Sequence, residues 1–100
     1  MQNCFRLKGD TLYVLHEPVN GAREFSELCL KLINSEHREV FIDVHEDISN
    51  LSSVYLGCII NCGVLAHSLK KRLLMKCSDS LKVWLQIIGG DSIVEFVTKG

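Results

Sequence analysis

The sequence has almost no net charge: 11 Lys+Arg stand against 12 Asp+Glu, a formal −1. Nucleic-acid-binding modules carry a clear positive excess, so that class is set aside and no nucleic-acid partner is expected. Phosphate and cofactor motifs are missing too. No Gly-x-Gly-x-x-Gly follows a strand, no Gly-Lys-Ser/Thr occurs, and there is no Gly-x-Ser-x-Gly elbow, which argues against nucleotide hydrolysis and hydride transfer by the common routes. The five cysteines, Cys4, Cys29, Cys58, Cys62 and Cys77, form no Cys-x-x-Cys pair and are odd in number. The reading is reduced thiols serving as small apolar residues in a cytoplasmic protein. Met1-Gln2-Asn3 leads straight into a strand-like segment without a leader pattern. Proline occurs once and no repeat is visible, so the expectation is a single domain over residues 1–100.

No Asp, Glu, Lys or Arg falls between Asp47 and Lys70, a stretch long enough to cross a bilayer. It holds Ser49, Asn50, Ser52, Ser53, Asn61, His67 and Ser68, which lipid would penalise. A helix lying on a sheet is the better account, without membrane insertion.

Hydrophobic residues make up 47% of the chain, and their periodicity places the elements. Cys4 to Leu15 reads as two strands around a Gly9-Asp10 turn, stopped by Pro18. Asn20 is the expected cap of a helix whose apolar face is Ala22, Phe25, Leu28, Cys29, Leu32 and Ile33. Val40–Val44 reads as a central parallel strand. Ser52 or Ser53 opens a long helix running to about Lys71. Leu73–Cys77 is a strand, Ser78-Asp79-Ser80 starts a helix through Ile88 that Gly89-Gly90 ends, and Ile93–Val97 is a last strand. The order strand-strand-helix-strand-helix-strand-helix-strand implies an α/β domain with a mixed, mostly parallel sheet.

Candidate chemistry is sparse. Cys58 and Cys62 lie one helical turn apart, with His67 a little off that face, and fit no standard zinc spacing. His16, His37, His45 and His67 are scattered. His45 follows a central strand, where open α/β sheets place their sites. No catalytic set, metal or cofactor is called. Ser52-Ser53 at a helix start can be a cap or a phosphoacceptor, because a helix N-terminus favours a phosphate's charge.

From Val40 to Val97 the chain resembles the STAS domain, the fold of bacterial anti-sigma-factor antagonists. Phe41-Ile42-Asp43-Val44 resembles the family's strand, and Ser52-Ser53-Val54-Tyr55-Leu56-Gly57 its helix-start motif of the form Asp-Ser-Thr-Phe-Leu-Gly. Leu81-x-x-Trp84-Leu85-x-x-Ile88-Gly89 looks like its third helix, and Ile93-Val94-Glu95-Phe96 like its closing strand. The resemblance implies a non-catalytic regulatory module that binds an anti-sigma factor acting as a serine kinase. Ser53 would be its phosphoacceptor (Ser52 the alternate), and Pro18, Val19, Asn50, Leu51, Ser52, Ser53 and Tyr55 its contact surface. Ser52 stands where the motif has Asp, and Pro18 where many members have an acidic residue. Those departures raise the alternative of an accessory subunit of an ABC-type phospholipid transporter that binds its ATPase constitutively.

Overall fold

The structure is a computed structural model and describes residues 4–97. The expected absence of a leader at residues 1–3 and the outer limits of the domain lie outside the described residues. The chain order is β1 (Phe5–Lys8), β2 (Thr11–Val14), α1 (Ala22–Ile33), β3 (Glu39–Val44), α2 (Ser53–Ser68), β4 (Arg72–Lys76), α3 (Asp79–Ile87), a 3-10 turn (Gly90–Ser92) and β5 (Glu95–Phe96). The sheet runs β1-β2-β3-β4-β5. β1 and β2 pair antiparallel through a hairpin whose Gly9 takes φ 60°, and every other pairing is parallel.

Each crossover steps to the neighbouring strand in the same direction. Crossovers of the usual right hand then put all three helices on one face. Burial alternates accordingly. Leu12, Val14, Val40, Ile42, Val44, Leu73 and Met75 are buried, whereas Tyr13, Phe41, Asp43 and Leu74 are only half-buried. The central strand is therefore covered on one side only. The open side is tied by ions. Arg72 on β4 reaches Glu95 on β5 at 2.7 Å and also pairs with Glu39 on β3. The buried apolar residues form one cluster joining sheet and helices.

β3 begins one residue before the sequence reading and β4 is displaced from it by one residue, and three other element ends differ from it, each for a visible reason. Asn20 is not the cap of α1. It sits at φ 57°, and Gly21 takes the cap position, its carbonyl accepting the Phe25 N–H at 2.9 Å. α2 stops at Ser68 instead of Lys71. Lys70 turns left-handed at φ 59°, its N–H bonds the His67 carbonyl at 3.0 Å, and the Lys71 N–H bonds the Ala66 carbonyl at 2.8 Å, which is a Schellman end made with lysine instead of glycine. The last strand keeps two residues. The Gly90 carbonyl takes the N–H groups of both Ile93 and Val94, at 3.1 and 2.9 Å, so those amides belong to a turn and not to the ladder.

Candidate functional site

The loops that leave the C-terminal ends of β2, β3 and β4 gather along one edge of the sheet, the edge where open α/β folds place their sites. Two of them, residues 15–21 and 45–52, meet at the start of α2. An aromatic cluster fixes the meeting point. Phe25 packs at 5.3 Å from Phe5 and edge-on at 5.8 Å from Tyr55. The Tyr55 hydroxyl accepts the Gly21 N–H at 2.8 Å, so the first turn of α2 is bonded to the cap of α1. The site cannot shift relative to α1 without breaking this contact.

On this frame the predicted surface residues divide. Pro18, Leu51 and Tyr55 are buried and support the surface without offering their side chains to a partner. Val19, Asn50, Ser52 and Ser53 are exposed. Ser52 is the N-cap residue of α2, in extended conformation, but its side chain makes no capping bond. Among the described residues neither serine hydroxyl has a hydrogen-bond partner. The first helical bond runs from the Leu56 N–H to the Ser52 carbonyl at 3.1 Å, and no acidic residue lies in the first turn. The positive end of this 16-residue helix is thus not neutralised by its own sequence.

Two contributors, Val54 and Gly21, escaped the sequence reading, whereas Val19 was among the expected contact residues. Val54 is 57% exposed and Val19 80%, and each lies within two residues of the Gly21–Tyr55 bond. Val54 gives the serine pair an exposed apolar neighbour in the chain. An apolar residue between a cap and a core tyrosine was the signal available for Val54. Gly21 was missed because Asn20 is the better capping type. A Cβ on Gly21 would approach the Phe5 ring to 3.0 Å.

Between the first residues of the two loops, 15–21 and 45–52, lies a cleft of about 480 Å³ lined by Leu15, His16, Glu17, His45, Asp47 and Ile48. The His45 Nδ1 accepts the Asp47 N–H at 3.1 Å, which leaves the ring proton on Nε2 in the neutral form. The thiols sit elsewhere. Cys29, Cys58 and Cys62 face one another between α1 and α2 around a void of about 50 Å³. Its hydrogen bond with Cys62, then burial, holds the Cys29 thiol far above its ordinary value, and burial raises Cys58 as well. These groups are held protonated, opposite to what a thiolate nucleophile requires. His67 is exposed. Among the described residues no group of three His, Cys, Asp or Glu side chains could hold a metal ion, and no helix is long and apolar enough to cross a membrane.

Fold and surface together define a two-layer α/β domain with an exposed, serine-bearing helix start. No family model and no curated protein matches the chain. Among solved structures it is similar to the NMR structure of the protein TM1081, with 16% sequence identity and a TM-score of 0.72 over 95% of this chain and 79% of that one. At that identity the likeness concerns the fold.

Proposed function

We propose that this chain is a regulatory protein-binding module of the STAS type, similar to an anti-sigma-factor antagonist, whose partner is an anti-sigma factor with serine-kinase activity. The observation that carries this reading is Ser53. It occupies the first position of α2, exposed, with its hydroxyl unpartnered; the exposed Val54 follows it in the chain, and the exposed Val19 lies two residues before Gly21, to which Tyr55 is bonded. An apolar rim around a small polar centre suits a reversible protein contact. Phosphate on Ser53 would add about −1.5 to −2 charge at pH 7. The free amides of the α2 start would stabilise it on the folded domain. A partner closing over Val19 and Val54 would have to desolvate it, and binding would fall. The domain is then substrate and switch, and its cytoplasmic location follows from such a partner.

A second reading is a constitutive accessory subunit of an ABC-type transporter, bound to the ATPase. It is favoured by one observation: Pro18 and Ser52 replace the acidic residues of the motif, and Pro18 is buried, so no carboxylate from that position faces a kinase site.

The test is recovery of the protein from its host with its partners, followed by binding of Ser53→Ala and Ser53→Asp forms to the recovered partner. The expected result is a kinase-like partner that keeps Ser53→Ala and loses Ser53→Asp at least about tenfold. Equal binding of the two variants refutes the switch. Transporter subunits in place of a kinase establish the second reading.

A further inference from the structure

α3 buries Leu81 and Leu85 against the core, and that accounts for only one side of it. Its polar stripe, Asp79, Lys82 and Gln86, runs along another side, where the Lys82 ammonium lies 5.3 Å above the Phe96 ring. The remaining side is apolar and open. Val83, Trp84, Ile87 and Ile88, spaced i, i+1, i+4, i+5, are 51%, 47%, 68% and 46% exposed. At ~150–250 Å² for a large apolar side chain, they leave roughly 400 Å² of apolar surface on one helix face. A surface helix of a monomer usually turns charge to that side.

We infer that this face is where a second copy of the chain docks, forming a two-fold dimer through antiparallel α3 helices. The arithmetic favours a self-association contact. A two-fold interface uses the same patch twice, so roughly 800 Å² of apolar area is removed from water. Homodimer interfaces are about 65% apolar, so the total comes to roughly 1,200 Å² once a polar rim is counted, at the lower end of the range of stable specific interfaces. Electrostatics do not oppose it. The four residues carry no charge, and a net charge of −1 per chain gives little repulsion between copies. The patch belongs to α3 and not to the Ser53 helix start, so a dimer and a regulatory partner would use different elements.

The protein carries its own reporter, because Trp84 is its only tryptophan. The experiment is sedimentation of the full chain from about 1 to 100 μM, with Trp84 emission recorded across the same series. The expected result is a monomer-to-dimer transition accompanied by a blue shift of the emission. Ile87→Glu should weaken association at least about tenfold and hold the emission at the red, solvent-exposed position, with far-UV circular dichroism unchanged. Should that variant fail to fold, Val83→Lys carries the same expectation. A monomer throughout the range overturns the proposal and leaves the face to a different protein. A dimer that survives a folded Ile87→Glu or Val83→Lys overturns it as well. The Ser53→Asp form should dimerise like the parent, which separates this outcome from the fate of the phosphoswitch.

Discussion

Replacing Tyr55 by Phe removes one oxygen atom and tests whether the α2 start is fastened as described. The hydroxyl accepts the Gly21 N–H at 2.8 Å, and Tyr55 is buried at 6% exposure. The ring stays, so its edge-on contact with Phe25 and its hydrophobic burial are unchanged. What is lost is one hydrogen bond, and the Gly21 N–H is left facing the aromatic cluster. A typical bond is worth about 0.5–1.5 kcal/mol net, and stranding a buried donor costs about 1–3 kcal/mol. Gly21 is only half-buried, so water partly replaces the lost acceptor and the cost belongs near the bottom of that range, about 1 kcal/mol. For a domain of this size that is ~4–8 °C in Tm. Urea unfolding should show a lower midpoint with the same slope, since the surface exposed on unfolding is unchanged. Tyr13→Phe is the matched control, because the half-buried Tyr13 hydroxyl on the open sheet face has no hydrogen-bond partner among the described residues; it should shift stability by less than about 0.5 kcal/mol. Equal effects of the two substitutions would refute the claim that Tyr55 fastens α2 to α1.

Two further perturbations read other parts of the structure. Gly21→Ala should destabilise by about 1–3 kcal/mol in the same unfolding assay, since its Cβ would meet the Phe5 ring at 3.0 Å inside a packed cluster; a neutral result would mean that the ring yields freely. Raising pH should weaken the fold above about pH 9, the ordinary thiol value. The folded state keeps Cys29 and Cys58 protonated while the unfolded chain loses those protons, so the unfolded state binds fewer protons and stability falls as pH rises. Cys29→Ala should flatten that slope, and an unchanged slope would show that the thiols do not cause it.

Much of the architecture could be read from residue order because the apolar periods are clean. Phe25, Cys29, Leu32 and Ile33 define the buried face of α1, and the alternation in Glu39–Val44 follows the sheet pleat. What was not legible was decided by backbone bonds that side-chain patterns do not encode. Ile93 and Val94 look like strand residues, yet their amides are taken by the Gly90 carbonyl. Lys70 closes α2 in a left-handed conformation that its side chain does not announce. At the candidate site, Ser53 at a helix start was visible from its spacing. The burial of Pro18, Leu51 and Tyr55 was not, because it depends on tertiary packing, for Tyr55 on an aromatic cluster assembled from β1, α1 and α2. The outward apolar side of α3 was hidden for a related reason: composition marks Trp84 and Ile87 as core types, and only the packed structure shows which side of the helix the core takes.

The order of strands in the sheet is the order of strands in the chain. No strand has to be inserted between two that are already paired. A chain emerging from the ribosome can therefore build this sheet by accretion: the hairpin forms first from neighbouring residues, and each helix–strand unit that follows adds to one growing edge. Every intermediate presents a single unfinished edge, and the strand that completes the sheet, β5, is its shortest. A topology of this kind is well matched to vectorial synthesis, with the N-terminal half able to wait, partly assembled, for the rest of the molecule to arrive.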